Sequence, residues 1–127
     1  AQMPFLRKRG AQLFSKSRFI AAQFEAYFEG DLWLDSARHA NAMATVLAEG
    51  IAKSGRARLH TKPQANEVFA ILTNADIERL RAAGAVFYDW HAPSDGSVKH
   101  GETMIRLVTS FATRLEEADN LIARIKT

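Results

Sequence analysis

The chain has 127 residues, no cysteine, a formal net charge of +3 and 47% hydrophobic residues. That size fits one domain with a real core, and the composition excludes wholesale disorder. The missing cysteines exclude a disulfide framework or a thiolate metal site, and no apolar run approaches the about 20 residues that span a bilayer.

The charge is unevenly placed. Arg7, Lys8, Arg9, Lys16 and Arg18 all precede the first acidic residue, Glu25, and give +5. The remaining chain, with 12 basic and 14 acidic residues, carries −2. Such a local cluster attracts an anion: a phosphate, a carboxylate or a nucleic acid. The sequence opens on Ala1 with no apolar stretch after its basic residues, so it is no signal peptide. We expect a processed product or a fragment, with a trimmed tag or a lost initiator methionine as the plainer explanation.

In chain order, Pro4 opens an early turn and Gly10 interrupts it. Phe14, Phe19, Ile20, Phe24, Tyr27 and Phe28 then recur at helical spacing, predicting a helix over about 12–28 with a buried aromatic stripe. Gly30 ends that helix, and Asp31 or Asp35 caps the next. There Ala37, Ala40, Ala44, Leu47 and Ile51 form an inward stripe, mostly of alanine, that permits close packing. Lys53-Ser54-Gly55 stops it. Residues 57–60 predict a short strand and 67–72 a better one. Thr73-Asn74 caps a short helix with Ile77 and Leu80 inward, closed by Gly84. Residues 86–88 and 104–108 predict two further strands, joined through a turn or hairpin connection over 92–102. A last helix runs from about Thr113 to Ile125, with Leu115, Ala118, Ile122 and Ile125 on one face. The order predicts an α+β fold: two long helices, then a small, mainly antiparallel sheet with helices on one face.

No complete catalytic apparatus is legible in these patterns. The four histidines lack metal-ligand spacing, so no metal site is expected, and no Walker A, GxGxxG or GxSxG pattern occurs. Two features stand out. The basic stretch 7–18, with its glycine break and two serines, can surround a phosphate or can be a solvated helix face. Arg106 stands alone among Met104, Ile105, Leu107 and Val108. It must find a partner, for which its planar fork suits a carboxylate, or point to water from an edge strand.

The stretches Arg7–Lys16, Phe24-Glu25-Ala26-Tyr27, Leu32-Trp33-Leu34, Ala37–Ala44, Ala65–Phe69 and Ile105–Phe111 together resemble the C-terminal part of the low-specificity threonine aldolases. These are fold-type I pyridoxal-phosphate enzymes in the broader β-eliminating lyase group. The resemblance covers nearly the whole chain and keeps the order of segments.

What it implies is an aldehyde-lyase that cleaves threonine and related β-hydroxy-α-amino acids to glycine and an aldehyde, with pyridoxal 5′-phosphate as cofactor. Arg106 matches the family arginine that grips the substrate α-carboxylate. Lys8, Arg9 and Lys16 match a region near the cofactor phosphate that reaches an active site, in part that of a neighbouring subunit. Ala11 stands where many members have a second glycine. No segment matches the surroundings of the Schiff-base lysine, and Lys53, Lys62, Lys99 and Lys126 lie in segments that match other parts of the family.

The resemblance therefore implies a C-terminal portion of a longer, cytoplasmic enzyme of amino-acid metabolism, inactive alone and without a catalytic residue of its own. Residues 1–30 would form a basic helical segment leading from the large cofactor-binding domain, and 31–127 the small domain. A homodimer or homotetramer is expected, with no nucleic-acid or membrane partner. The alternatives are a related β-eliminating amino-acid lyase and, from another class, a basic nucleic-acid-binding module whose phenylalanines stack on bases.

Overall fold

The computed structural model describes residues 2–127. Two compact units divide them, the first ending at Trp33 and the second covering Leu34–Thr127.

In the first unit, α1 spans Met3–Arg9, with proline in its opening turn and Arg7, Lys8 and Arg9 in its last. Those cations suit the negative end of the helix dipole. The chain turns at Ala11, whose φ of 55° is a left-handed conformation that glycine adopts without penalty. The predicted helix over 12–28 is consequently shorter: after this turn regular structure resumes only at α2, Ser17–Phe28. The aromatic stripe is also corrected, since Phe14, Phe19, Ile20, Phe24, Tyr27 and Phe28 all remain exposed. Helical spacing sets which residues share a face, but burial needs a second surface. The rings do gather on one another, Phe24 stacking on Phe28 at 5.9 Å and Phe28 meeting Trp33 edge-on at 5.8 Å. Gly30 and Asp31, both left-handed, end this stretch.

The long helix α3, Leu32–Ala52, buries Ala40, Ala44, Leu47, Ala48 and Ile51. Ala37 stays exposed, so the inward stripe begins one turn later than predicted. Gly50 is where small size matters most: a Cβ there would lie 2.3 Å from the Ile122 side chain. The sheet follows, with β1 (Ala57–Leu59), β2 (Glu67–Thr73), β3 (Tyr88–Trp90) and β4 (Glu102–Val108) in the order β1-β2-β4-β3, all antiparallel. Between β2 and β3, α4 (Asn74–Ala82) is capped by the Thr73 hydroxyl, which accepts from the Asp76 N–H at 3.1 Å. The closing helix α5, Leu115–Lys126, turns Ala118, Ile122 and Ile125 inward. Leu115, expected on that face, is half exposed.

The expected α+β class, the antiparallel sheet and the hairpin connection all appear. The strand predicted over 86–88 is displaced to Tyr88–Trp90. Val86 is 93% exposed, while Trp90 pairs in register with Met104. Alternation along the strands then separates two faces. Val68, Ala70 and Leu72 on β2 and Ile105 and Leu107 on β4 join α3, α4 and α5 in the core. The opposite face carries Glu67, Phe69, Ile71, Tyr88, Trp90, Met104 and Arg106.

Candidate functional site

Arg106 lies on that second face, in the middle strand pairing of β4 with Phe69 of β2 and Tyr88 of β3. Its placement follows from strand parity: Ile105 and Leu107 face the core, so Arg106 cannot. It is therefore neither a buried core charge nor a freely solvated edge residue. The guanidinium carbon sits 4.4 Å from the centre of the Trp90 ring, within the range of a cation–π contact. Nη1 donates to Glu67 Oε1 at 3.2 Å, and Nε is buried without a hydrogen-bond partner. Of five N–H donors, the described contacts employ one. Phe69 also packs against the indole, tilted to it, with ring centres 5.7 Å apart.

Three segments singled out in the sequence meet at the end of β4. The buried Thr109 hydroxyl donates to the Ala40 carbonyl of α3 at 2.7 Å and also lies 3.2 Å from the Asn66 carbonyl. Asn66 returns a side-chain bond to the Thr109 carbonyl at 2.7 Å, and Thr109 N–H donates to the Asn66 carbonyl at 2.9 Å. His39 Nε2 meets the Thr113 carbonyl at 2.7 Å. These bonds hold the loop after β4 against α3 and fix the strand pair that presents Glu67 and Arg106. Neither Glu67 nor Trp90 was singled out as a site residue. The signal for both is face parity, available only once the registers are known.

The other sequence candidates belong to the first unit. Lys8 and Arg9 end α1, and Lys16 precedes α2. All three are exposed, and among the described residues none forms an ion pair. Uncommitted cations of this kind can serve an anionic group. All six lysines of the chain are exposed, so none has the burial that tunes a lysine amine for carbonyl chemistry. Arg106 and the exposed cations of the first unit have the charge and free donors that a carboxylate or a phosphate requires.

No family model matches the chain. Its sequence is 36% identical over 119 residues to the low specificity L-threonine aldolase of Pseudomonas aeruginosa, covering 94% of this chain and 32% of that protein. A low specificity L-threonine aldolase of a Pseudomonas species is also 36% identical, over 81 residues. The solved Leishmania major threonine aldolase superposes with a TM-score of 0.70 at 30% identity, over 82% of this chain and 28% of that one. This chain is similar to the C-terminal part of these threonine aldolases. It spans about a third of the length of the Pseudomonas aeruginosa threonine aldolase and less of the second Pseudomonas relative. Two further structures, a cystine C–S lyase and the Sphingomonas wittichii serine palmitoyltransferase, match with TM-scores of 0.56 at 18% and 19% identity and show the shared fold. These neighbours are fold-type I pyridoxal-phosphate enzymes, and the part that this chain shares with them is α+β with a small antiparallel sheet.

Proposed function

We propose that this chain is the substrate-carboxylate-binding part of a pyridoxal-phosphate-dependent lyase that cleaves threonine and related β-hydroxy-α-amino acids to glycine and an aldehyde. The observation that supports it is Arg106: a strand-centre arginine, seated on an indole, with most of its donors uncommitted, in a chain related throughout to the threonine aldolases.

In this reading Arg106 binds the α-carboxylate and fixes the orientation of the amino acid. Trp90 keeps the guanidinium plane in place, and the Thr109–Asn66–Ala40 bonds keep the strand pair that bears it rigid. Lys8, Arg9 and Lys16 offer charge to the cofactor phosphate, in part at a neighbouring subunit's site. The cofactor, when bound, supplies the electron sink for breaking the Cα–Cβ bond. The carbonyl-binding lysine lies outside these 127 residues, so the chain alone is inactive. Residues 1–30 serve as the segment leading from a large domain, and 31–127 as the small domain. The exposed aromatic face of α2 suits cover by another protein surface, consistent with a homodimer or homotetramer of a cytoplasmic enzyme. Among the described residues, no helix is long and apolar enough to cross a membrane.

The test is Arg106→Lys in the complete enzyme that carries this chain. Lysine keeps the charge but not the planar fork, so KM for threonine should rise about 10- to 100-fold, the loss expected for a charge-assisted bidentate contact. An unchanged KM would remove the carboxylate role.

A further inference from the structure

The arginine–carboxylate pairs of this chain are not alike. Arg58 holds both oxygens of Glu102 at 2.7 and 2.6 Å, and Arg79 reaches Asp76 at 2.9 Å. The Arg106–Glu67 contact is the longest of the arginine pairs among the described residues, a single bond of 3.2 Å. Glu67 has 43% of its side chain exposed, so water can replace arginine at little cost, whereas the Asp76 side chain is 8% exposed and its bonds are far less open to exchange. Register explains the looseness. Glu67 pairs with Val108, and Arg106 with Phe69, so the two charges meet diagonally along the sheet face rather than side by side.

We propose that Glu67 is the resident counter-ion of Arg106, which a substrate carboxylate must compete with. Glu67 thereby sets the affinity and anion selectivity of the site. This rests on the carboxylate-binding role given to Arg106 above. The half-buried guanidinium gains from an anion when no substrate is present, because its Nε is buried without a partner and the cation–π contact with the indole offsets only part of the lost hydration. Glu67 supplies that anion through one weak bond. An incoming carboxylate gains the free donors of Arg106 but meets the negative charge of Glu67 a few ångströms away. A ligand able to form two parallel bonds overcomes this, and a monodentate anion such as chloride does not. Trp90 remains in contact with the guanidinium face in either state, so exchange of one carboxylate for another needs no movement of the strand.

The sign of one substitution decides the matter. Glu67→Gln keeps the size and the acceptor oxygen and removes the charge. If Glu67 competes, the complete enzyme carrying Glu67→Gln shows KM for threonine lowered about three- to tenfold with kcat little changed, and chloride becomes an inhibitor. The second readout is free of turnover: NMR titration of the Trp90 indole N–H signal of the 127-residue chain with acetate, at constant ionic strength, since that ring lies against the Arg106 guanidinium and is kept in every variant. The midpoint should fall about threefold or more in Glu67→Gln and the response vanish in Arg106→Gln. A KM or midpoint that rises or stays the same in Glu67→Gln, while still depending on Arg106, overturns the counter-ion role and leaves the carboxylate role standing. Acetate binding and KM that both ignore Arg106 overturn the two together.

Discussion

Two arginine clusters in the second unit show how the same side chain serves opposite purposes. Where α4 begins and α5 ends, Asp76 is buried and receives Arg79 at 2.9 Å, Arg56 at 3.1 Å and the Thr73 hydroxyl at 2.8 Å. Both arginines go on to bond backbone, Arg79 to the Arg124 carbonyl at 2.7 Å and Arg56 to the Thr127 carbonyl at 2.9 Å. On the outer face of the sheet, Arg106 has one loose carboxylate and an aromatic seat. An unpartnered Nε does not tell them apart, because Arg79 has one as well. The difference is whether the terminal nitrogens are committed to the chain's own backbone. Where they are, the arginine ties helices together; where they are not, it can serve a ligand.

The structural tie is most sensitive at Asp76. Burial pushes its carboxyl upward, yet the bonds from Arg79, Thr73 and Arg56 outweigh that and hold it below the ordinary aspartate range. Asp76→Ala should cost about 2–3 kcal/mol, toward the lower end for a broken buried pair because both arginines can rehydrate. Chemical denaturation measures this, and a loss below about 1 kcal/mol would make the cluster an ornament of the surface. Because the folded-state pKa is depressed, the contribution of Asp76 is present above its unfolded value near 3.8 and lost as pH falls through the folded one.

A smaller effect is expected at the Arg58–Glu102 pair, which anchors the connection between β3 and β4. Glu102 is held down at about 2, chiefly by the hydrogen bond from Arg58 and then by the Lys99 N–H. Its contribution to stability is therefore full above 4.5 and fades as pH drops toward 2. Glu102→Gln should be less stable than the parent at pH 6, with the gap closing between pH 4.5 and 2. A gap independent of pH across that window would mean that the pair acts by shape rather than charge.

These clusters also show what could be read from the sequence. The helix stripe from Ala40 to Ile51, the Thr73 cap and the strand around Glu67–Leu72 were legible because each is a local pattern with one physical cause. Arg106 was legible as an anomaly, a charge in an apolar strand, and the family resemblance gave it a role. Glu67 was not, since its closeness to Arg106 depends on a register between strands 39 residues apart. Trp90 was missed for a related reason: the strand was placed two residues early, so its face could not be assigned. The exposed aromatics of α2 were misjudged because periodicity carries no information about what covers a face. The Arg56–Asp76–Arg79 tie escaped notice altogether, its residues being unremarkable one by one.

The smallest effect is expected at Arg106 itself. Arg106→Met keeps an unbranched apolar stem over Trp90 and removes the guanidinium. The single 3.2 Å ion pair lost is half solvated, and the buried unpaired Nε disappears with it. Loss and relief are of similar size, so stability should stay within about 0.5 kcal/mol of the parent in chemical denaturation. The same substitution should abolish carboxylate binding at this face. A loss above about 2 kcal/mol would place Arg106 with Arg56 and Arg79 as a structural tie, since only an arginine already committed to the fold can cost that much to remove.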